Sequence, residues 1–472
     1  MKNGLLKIKN KYVGDKRFYK SLLAIAVPMM IQNGITNLVN LLDNIMVGTL
    51  GTESMSGVSI VNQFIFIFNL LVFGAISAAG IFTSQYYGLG DSEGIKHTFR
   101  FKFIINAAVG IIAVVAFALF SEEIINLFLF ESESTGDLSL TMAEGKKYLF
   151  VMLIGLIPYA IAQVYASTMR ETGEVIVPMV ASVVAVGTNF VLNIILIFGY
   201  LGCPALGVTG AAVATVISRF AELIILVIYA HCHTERFEYL KGAFRSAFIP
   251  MDTARKIMIK GIPLMLNEFF WAIAITMRNQ CYSTRGLDVV AAQNISSTVF
   301  NLFSVVYMSL GTAVAIIIGK LLGAGKLEEA KDTDNKLIAF SIFSGVIMAL
   351  MMVVSSFFFP KIYNTSPDVQ SLASYMMIVS GLTMPFAAFA NAAYFTLRSG
   401  GKVFVTILFD SVYMWAVVMP VTLIFAYLTS VNILWLFFIG QWVDTLKMIF
   451  GILFLKHGGW MNTLVSKTDS AS

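Results

Sequence analysis

Five acidic residues lie well inside long apolar runs of the chain, where a carboxylate is costly. On insertion scales a charged side chain at the centre of a membrane helix costs roughly 2.5 to 3.5 kcal/mol unless it has a partner or water. Each of these residues is therefore a candidate for a functional role. They are Asp43, Glu222, Glu268, Asp410 and Asp444.

Two of the five have a basic residue one helical turn away. Arg219 lies three residues before Glu222, and Lys447 lies three residues after Asp444. Residues at this spacing are neighbours on a helix surface. We therefore predict that both pairs neutralise themselves locally and have a structural role.

The other three carboxylates, Asp43, Glu268 and Asp410, have no such neighbour. Arg278 shares a helix face with Glu268 but lies about 15 Å further along, at 1.5 Å per residue. A lone carboxyl in apolar surroundings suits a group that takes up and releases a proton. We predict that these three residues couple transport to an ion, with Na⁺ near Glu268 and Asp410 as the alternative to a proton and no other metal site.

Uncharged polar residues recur at helical spacing in the same apolar runs. Gln32, Thr36, Asn40 and Asp43 are four, four and three residues apart, which places them on one stripe of a helix. Such a stripe faces either a watery cavity or a neighbouring helix, where a hydrogen bond is worth about 0.6 kcal/mol. Both interpretations stay open. The predicted substrate cavity comprises Gln32, Thr36, Asn40, Gln163, Asn189, Asn193, Trp271, Arg278, Asn294, Asn301 and Arg398.

The composition requires a membrane environment for most of the chain. Of 472 residues, 58% are hydrophobic and only 12% are charged, whereas soluble domains carry about 25% charged residues. Apolar runs of the roughly 20 residues needed to span a bilayer recur throughout. The sequence predicts an all-α polytopic membrane protein with 12 transmembrane helices, and the net charge of +5 then reflects topology and not nucleic-acid binding.

The distribution of lysine and arginine predicts the orientation. The predicted outer loops contain only Lys146, Lys147, Arg285 and Lys361, and most of the other basic residues fall on the opposite side. Under the positive-inside rule both termini are cytoplasmic and the protein lies in the cell membrane. The stretch from Ser21 is predicted to be a retained first helix.

An internal repeat divides the chain. An offset of 235 residues places Pro28 on Pro263, Gly88 on Gly323 and Gly90 on Gly325. Six spans in each half give both halves the same topology, so we expect two six-helix bundles related by a parallel internal repeat. The predicted domains are a basic arm (1–20), an N-terminal bundle (21–230), a linker (231–260), a C-terminal bundle (261–455) and a cytoplasmic tail (456–472).

The repeat also argues against an enzymatic role for the one sequence motif that resembles an enzyme motif. Gly88-Leu89-Gly90-Asp91 matches the GxGD pattern of intramembrane aspartyl proteases, but its counterpart ends in Lys326 and not in a carboxylate. The preserved feature is a glycine pair that ends a helix. Motifs of zinc hydrolases, serine hydrolases and P-loop ATPases are missing from the sequence. We predict neither an enzyme nor a cofactor.

Several of these residues form familiar patterns. The stretch from Pro28 to Gln32, followed by Asp43 and the segment 46–51, resembles the first helix of multidrug and toxic compound extrusion (MATE) antiporters. The segment 261–263 with Asn267, Glu268 and Trp271 resembles the start of their second half, and the segments 397–401 and 410–415 extend the similarity.

The resemblance implies secondary active export of amphipathic, usually cationic, small molecules in exchange for inward H⁺ or Na⁺ by alternating access. Asp43 matches the first-helix aspartate proposed to couple protons in that family. The chain departs from the pattern at Asn193, where several relatives carry a second aspartate. The expected partners are organic substrates, H⁺ or Na⁺ and the lipid bilayer, and the expected functional unit is a monomer.

One alternative belongs to the same broad superfamily. A flippase for lipid-linked oligosaccharide precursors needs a cationic cavity for pyrophosphate, and Arg219, Arg278 and Lys447 keep this function open. An intramembrane enzyme would need a catalytic pair in one cavity. A passive channel would conduct without coupling to an ion.

Overall fold

The computed structural model describes residues 11–126, 138–363 and 365–465. As predicted, 12 helices in this part of the chain are long and apolar enough to cross a membrane, and no β-strand occurs among the described residues. The helices are α1 (Lys16–Gly48), α2 (Thr52–Leu89), α3 (Ser92–Leu119), α4 (Leu138–Glu171), α5 (Ile176–Phe198), α6 (Val208–Cys232), α7 (Met251–Ser283), α8 (Leu287–Gly323), α9 (Leu327–Ser355), α10 (Pro367–Ser399), α11 (Val403–Tyr427) and α12 (Ile433–His457).

The helices form two compact units. The unit that we call C-terminal contains residues up to Met30, the segment Ser84–Gly90 and the chain from Ile262 onward. The N-terminal unit contains Ile31–Thr83 and Asp91–Gly261. Helices α1, α2 and α7 therefore each contribute residues to both units.

In each unit the fourth helix of the repeat packs extensively against two other helices. In the N-terminal unit α4 packs against α3 and α6, and in the C-terminal unit α10 packs against α8 and α9. Large apolar side chains remain exposed on the outward faces, among them Ile112 at 67% and Leu350 at 62%. A bilayer accounts for this exposure, because it covers apolar surface that water would not.

The glycines of the GxGD-like string end helices, as the repeat predicts. Gly90 follows α2 with φ 74°, and Gly325 follows α8 with φ 72°. Both values lie in the left-handed region that favours glycine. Asp91 caps α3 by accepting a hydrogen bond of 3.0 Å from the Gly94 amide.

Helix α11 departs from regular α-helical winding near an acidic residue. Two π-helical turns, Leu408–Val412 and Met414–Val418, interrupt it, and Asp410 lies in the first. Helix α12 is also divided, into Ile433–Thr445 and Lys447–His457. Short π-helical segments occur frequently at functional sites.

Two connecting segments are more helical than the apolar pattern indicates. Ser121–Asn126 forms a short helix after α3, and Lys146 pairs with Glu122. This hydrogen bond holds the pKa of the Glu122 carboxyl below its usual range. Residues 127–137, which follow the short helix, lie outside the described residues. Helix α7 begins at Met251, well before the apolar run from Gly261, and its first turns bury Thr253 and Ile257 while Arg255 and Lys256 are exposed.

Candidate functional site

In the N-terminal unit, Asp43 of α1 is held by amide side chains of α5. Asn193 Nδ2 donates a hydrogen bond of 2.7 Å to Asp43 Oδ1. Asn193 and Asn189 are both buried, at 2% and 6% exposure. The structure therefore brings three of the predicted site residues together.

The Asn189 amide can be oriented in two ways, because amide nitrogen and oxygen are assigned from their hydrogen bonds. With its nitrogen towards Asp43, it donates to Asp43 Oδ2 at 2.9 Å, and its oxygen accepts from Thr215 Oγ1 at 3.1 Å. In the opposite orientation its oxygen accepts from Asn193 Nδ2 at 3.2 Å and its nitrogen donates to Thr215 Oγ1. Turning this one amide thus exchanges a donor for an acceptor beside Asp43 Oδ2.

The other predicted residues of this unit are less engaged. The Thr36 hydroxyl donates to the Gln32 carbonyl of its own helix at 2.9 Å, a bond that needs no partner helix. Gln32 and Gln163 are half-buried, and Asn40 is exposed. Among the described residues, no hydrogen bond joins these side chains to the Asp43 network.

In the C-terminal unit, Glu268 of α7 meets two residues of α10. The Tyr394 hydroxyl donates a hydrogen bond of 2.8 Å to Glu268 Oε1. Arg398 Nη1 lies 3.6 Å from the same oxygen, and its guanidinium lies over the Tyr394 ring at 5.7 Å. Arg398 is only 4% exposed, so its charge is balanced inside the protein and not by solvent.

Asp410 is held by the residue next to Glu268. Asn267 Nδ2 donates to Asp410 Oδ2 at 3.0 Å and lies 3.5 Å from the Tyr394 hydroxyl. Ser411 fixes Asn267 in turn, through Ser411 Oγ to the Asn267 carbonyl at 2.8 Å. The two predicted carboxylates of this unit are therefore connected through Asn267 and Tyr394.

The remaining predicted residues of this unit lie apart from that cluster. Asn294 and Asn301 are exposed on α8, and Trp271 is half-buried on α7. The Trp415 indole donates to the Phe270 carbonyl at 3.0 Å, which ties α11 to α7 beside Trp271.

Of the two pairs predicted to neutralise themselves locally, one forms an ion pair, whereas in the other the two charges lie within electrostatic range of each other without forming one. Lys447 Nζ lies 3.1 Å from Asp444 Oδ1. Arg219 instead lies over the Tyr159 ring at 5.1 Å, and among the described residues no ion pair joins it to Glu222. The aromatic face, which attracts the cation, competes with the neighbouring carboxylate for this guanidinium.

Sequence reasoning missed two residues that complete the carboxylate cluster, Tyr394 and Asn267. Tyr394 precedes Arg398 by four residues and so shares its helix face, a signal that could have identified it. Asn267 was part of the recognised motif but had no assigned role. Its contact with Asp410 crosses between helices distant in sequence, and no local pattern indicates it.

Solved structures share this fold. A structure of a point mutant of the Vibrio cholerae MATE transporter VcmN superposes with a TM-score of 0.84 at 16% identity, covering 93% of this chain and 97% of that one. A structure titled "Reverse polarity of binding pocket suggests different function of a MOP superfamily transporter", from Pyrococcus furiosus, superposes with a TM-score of 0.76 at 20% identity, covering 95% and 97%.

Curated relatives align over nearly the full chain. The "Probable multidrug resistance protein NorM" of Thermotoga maritima is 24% identical over 450 residues, covering 93% of both chains. The "Probable multidrug resistance protein YoeA" of Bacillus subtilis is 23% identical, covering 92% of this chain and 93% of that one.

The family model named MatE matches the chain twice, over residues 28–195 and 263–428. The two matches begin at Pro28 and Pro263, the pair that the internal repeat superposes, so the repeat and the family resemblance are both confirmed. The chain therefore belongs to the MatE family, whose members are membrane transporters and not enzymes.

Proposed function

We propose that the chain is a secondary active exporter of amphipathic, cationic small molecules, which it exchanges for inward H⁺ or Na⁺ by alternating access. The observation that carries this proposal is the setting of its three coupling carboxyls. Asp43, Glu268 and Asp410 lie in membrane-spanning helices and receive hydrogen bonds from amide or phenol groups. Such ionisable groups within spanning helices are expected on ion pathways.

The ion gradient is sufficient as an energy source. One elementary charge that crosses 100 mV releases about 2.3 kcal/mol, and a tenfold solute gradient costs about 1.4 kcal/mol. A single coupling ion can therefore support an export gradient of roughly tens-fold.

The Asp43 network suits a proton as the coupling ion. A carboxylate accepts hydrogen bonds only, whereas a carboxylic acid also donates one. Asn189 can supply either partner by exchanging the positions of its nitrogen and oxygen. Asp43 Oδ2 then keeps a hydrogen-bond partner in Asn189 whether or not a proton is bound.

The Glu268 cluster contains groups that suit either H⁺ or Na⁺ as the coupling ion. Carboxylate and hydroxyl oxygens of Glu268, Asp410 and Tyr394 are ligands that a hard cation such as Na⁺ accepts. Arg398 Nη1 lies 3.6 Å from Glu268 Oε1 and competes with Na⁺ for that carboxylate. Its positive charge therefore favours a site that binds no further cation. The gradient experiment below distinguishes the two ions.

The substrate class is inferred from the relatives and from the interior. Relatives named multidrug resistance proteins support the export of varied compounds. The aromatic fraction of 13%, with 39 Phe and 24 Met, suits an interior that accommodates amphipathic cations through adaptable packing and cation–π contacts.

The flippase alternative is less well supported by the arrangement of basic residues. A pyrophosphate group needs several free cationic donors. Lys447 is paired with Asp444 and Arg219 lies on Tyr159, so of the three candidate cations only Arg278 makes no such contact among the described residues.

The topology completes the proposal. We infer that the predicted bundles, 21–230 and 261–455, act as the two moving bodies, joined by the linker 231–260. We further propose that the basic arm (1–20) and the tail (456–472) are cytoplasmic in the cell membrane and that the monomer is functional.

The test measures efflux of a fluorescent organic cation from proteoliposomes under an imposed pH gradient and, separately, under a Na⁺ gradient. Wild type is compared with Asp43→Asn, Glu268→Gln and Asp410→Asn. We expect one gradient to drive wild-type transport and at least one variant to lose that response. Wild-type protein that moves no cation under either gradient would refute the exporter proposal.

A further inference from the structure

The second half of the linker and the first turns of α7 carry a concentration of positive charge. Residues 241–260, which we call the basic linker segment, contain five basic residues and a single acidic one, Asp252. Several of the basic side chains are exposed. They are Lys241, Arg245, Arg255 and Lys256.

Large apolar side chains are exposed among these basic residues. Phe244 and Phe248 are exposed at 53% and 59%, and Met251, the first residue of α7, at 80%. Clustered apolar side chains on a protein surface mark a site that another apolar surface covers. Exposed apolar side chains next to basic ones are typical of a segment that lies in the interface between membrane and water.

A side chain of α3 fixes the backbone of the segment. Arg100 donates hydrogen bonds of 2.7 to 3.0 Å to three backbone carbonyls, those of Gly242, Ala243 and Phe248. The Phe244 ring packs edge-on against the Phe103 ring of α3, with 5.3 Å between the ring centroids. Binding of a ligand to this part of the linker therefore does not require its backbone to be ordered first.

The first turns of α7 continue the same combination of side chains. Ile257 is buried, whereas Met258 and Ile259 are exposed close to Arg255. These turns lead directly into the apolar run from Gly261, and Phe103 belongs to another helix that is long and apolar enough to cross a membrane. The segment is thus continuous with helices that the bilayer surrounds.

The two kinds of exposed side chain together indicate one kind of partner. Guanidinium and ammonium groups bind phosphate oxygens through charge-assisted hydrogen bonds, and basic clusters next to a membrane helix attract anionic headgroups. A soluble phosphate satisfies the basic side chains but leaves the apolar ones uncovered. An anionic phospholipid satisfies both, because its acyl chains lie beside its phosphate.

We propose that the basic linker segment binds anionic phospholipids, with Arg245 and Arg255 on the headgroup phosphates and Phe248 and Met251 against the acyl chains. This contact holds the connection between the two bundles at the membrane surface. The proposal does not depend on what the chain transports, since the segment contains no residue of the Asp43 or Glu268 networks.

The experiment measures lipid binding to purified full-length protein by native mass spectrometry. The probes are phosphatidylglycerol, which is anionic, and phosphatidylcholine, which is zwitterionic. We expect wild type to bind phosphatidylglycerol about tenfold or more tightly than phosphatidylcholine. The double variant Arg245→Gln with Arg255→Gln should reduce this preference by about tenfold, because each basic side chain near the membrane surface adds to the attraction.

The double variant Lys326→Gln with Lys331→Gln is the matched control, because it also removes two exposed positive charges. Three carboxylates, those of Glu328, Glu329 and Asp332, accompany these two lysines in the sequence. The control should therefore keep the wild-type preference. Equal losses in the two double variants would reduce the effect to net charge and overturn the proposal, as would a wild type that binds both lipids equally.

The apolar half of the proposal is tested by Phe248→Ser combined with Met251→Ser, which leaves every charge in place. We expect this variant to bind phosphatidylglycerol several-fold more weakly than wild type. Unchanged binding would contradict the contact with acyl chains. If inorganic pyrophosphate raises the unfolding temperature of wild type as much as phosphatidylglycerol does, the segment binds a soluble anion and the lipid proposal is wrong.

A measurement on wild type alone covers the case in which the arginine variant does not fold. Salt screens the attraction between exposed charges, so the preference for phosphatidylglycerol should fall as the salt concentration rises. A preference that is independent of salt would not come from exposed basic side chains and would contradict the proposal.

Discussion

The Tyr394 hydroxyl donates a hydrogen bond of 2.8 Å to Glu268 Oε1, linking α10 to the carboxyl of α7. The same hydroxyl lies 3.5 Å from Asn267 Nδ2, which binds Asp410 at 3.0 Å. A change in the charge of either carboxyl therefore affects the other through side chains that are in direct contact. Tyr394 is a positioning residue in this arrangement, since it acts through the two carboxyls.

Replacing Tyr394 by Phe should weaken ion-driven transport about tenfold while exchange of substrate across the membrane without a gradient continues. The reason is that a hydrogen bond to a charged group is worth about 1.5 kcal/mol or more. Tyr375→Phe is the matched control, because Tyr375 lies on the same helix and its hydroxyl donates to the Leu434 carbonyl at 3.0 Å and not to a carboxyl. Equal rates for Tyr394→Phe and Tyr375→Phe under the gradient would contradict the role of Tyr394.

Asn193→Ala should reduce the response to the coupling gradient by about tenfold, because Asp43 loses its 2.7 Å hydrogen bond. Thr188→Ala, on the same helix, should leave the response unchanged, since the exposed Thr188 hydroxyl donates to the Val184 carbonyl of its own helix and not to Asp43. Gradient-driven efflux in proteoliposomes provides the measurement. An unchanged response in Asn193→Ala would mean that the Asn193 bond does not support coupling at Asp43.

The N-terminal unit contains a buried ion pair that predicts a large stability effect. Lys102 is fully buried and pairs with Glu171, and its Nζ also lies 3.3 Å from Thr168 Oγ1. Lys102→Met removes the hydrogen-bonded cation of Glu171 and leaves Arg170 as a cation within electrostatic range, so it should lower the free energy of unfolding by about 3 kcal/mol. Thermal unfolding in detergent measures the change.

Lys147→Met is the control for that prediction, because Lys147 pairs with Glu144 on the surface and is 59% exposed. A surface pair contributes about 0 to 1 kcal/mol, so the control should unfold close to wild type. If the two variants unfold at the same temperature, the ion pair of Lys102 and Glu171 does not stabilise the N-terminal unit.

Gly323→Ala should severely impair folding. A Cβ at Gly323 would lie 1.9 Å from the Gln85 carbonyl oxygen, and one at the repeat-equivalent Gly88 would lie 2.0 Å from the Lys320 carbonyl oxygen. Gly187→Ala, whose Cβ would meet nothing within 4 Å, should be neutral or stabilising by up to about 1 kcal/mol. The yield of monodisperse protein and its unfolding temperature test both, and a stable Gly323→Ala protein would refute the close helix approach.

The sequence was sufficient for the overall fold, because hydrophobic length and glycine placement are local signals. The 12 spans, the repeat that pairs Gly88 with Gly323, and the helix ends at Gly90 and Gly325 could all be predicted in this way. The proximity of Asp43 to Asn193 could not, since hydrogen bonds between helices depend on how the helices pack.

Two features of the structure do not follow from the sequence, for physical reasons of the same kind. The spacing of Arg219 and Glu222 allows an ion pair, but the Tyr159 face lies across the helix contact and takes the guanidinium. The π-helical turn at Asp410 depends on tertiary packing and follows from no local propensity. In both cases a contact between helices overrode a rule that applies to one helix.

The most direct test of the account measures ion movement driven by the transported molecule. Proteoliposomes are loaded with an organic cation, and an internal pH indicator or Na⁺ indicator follows the ion as the cation leaves down its gradient. We predict that the ion moves inward against its own gradient in wild type and that Asp43→Asn or Glu268→Gln abolishes this movement. Cation efflux at the wild-type rate with no accompanying ion movement would show an uncoupled pathway and contradict the account.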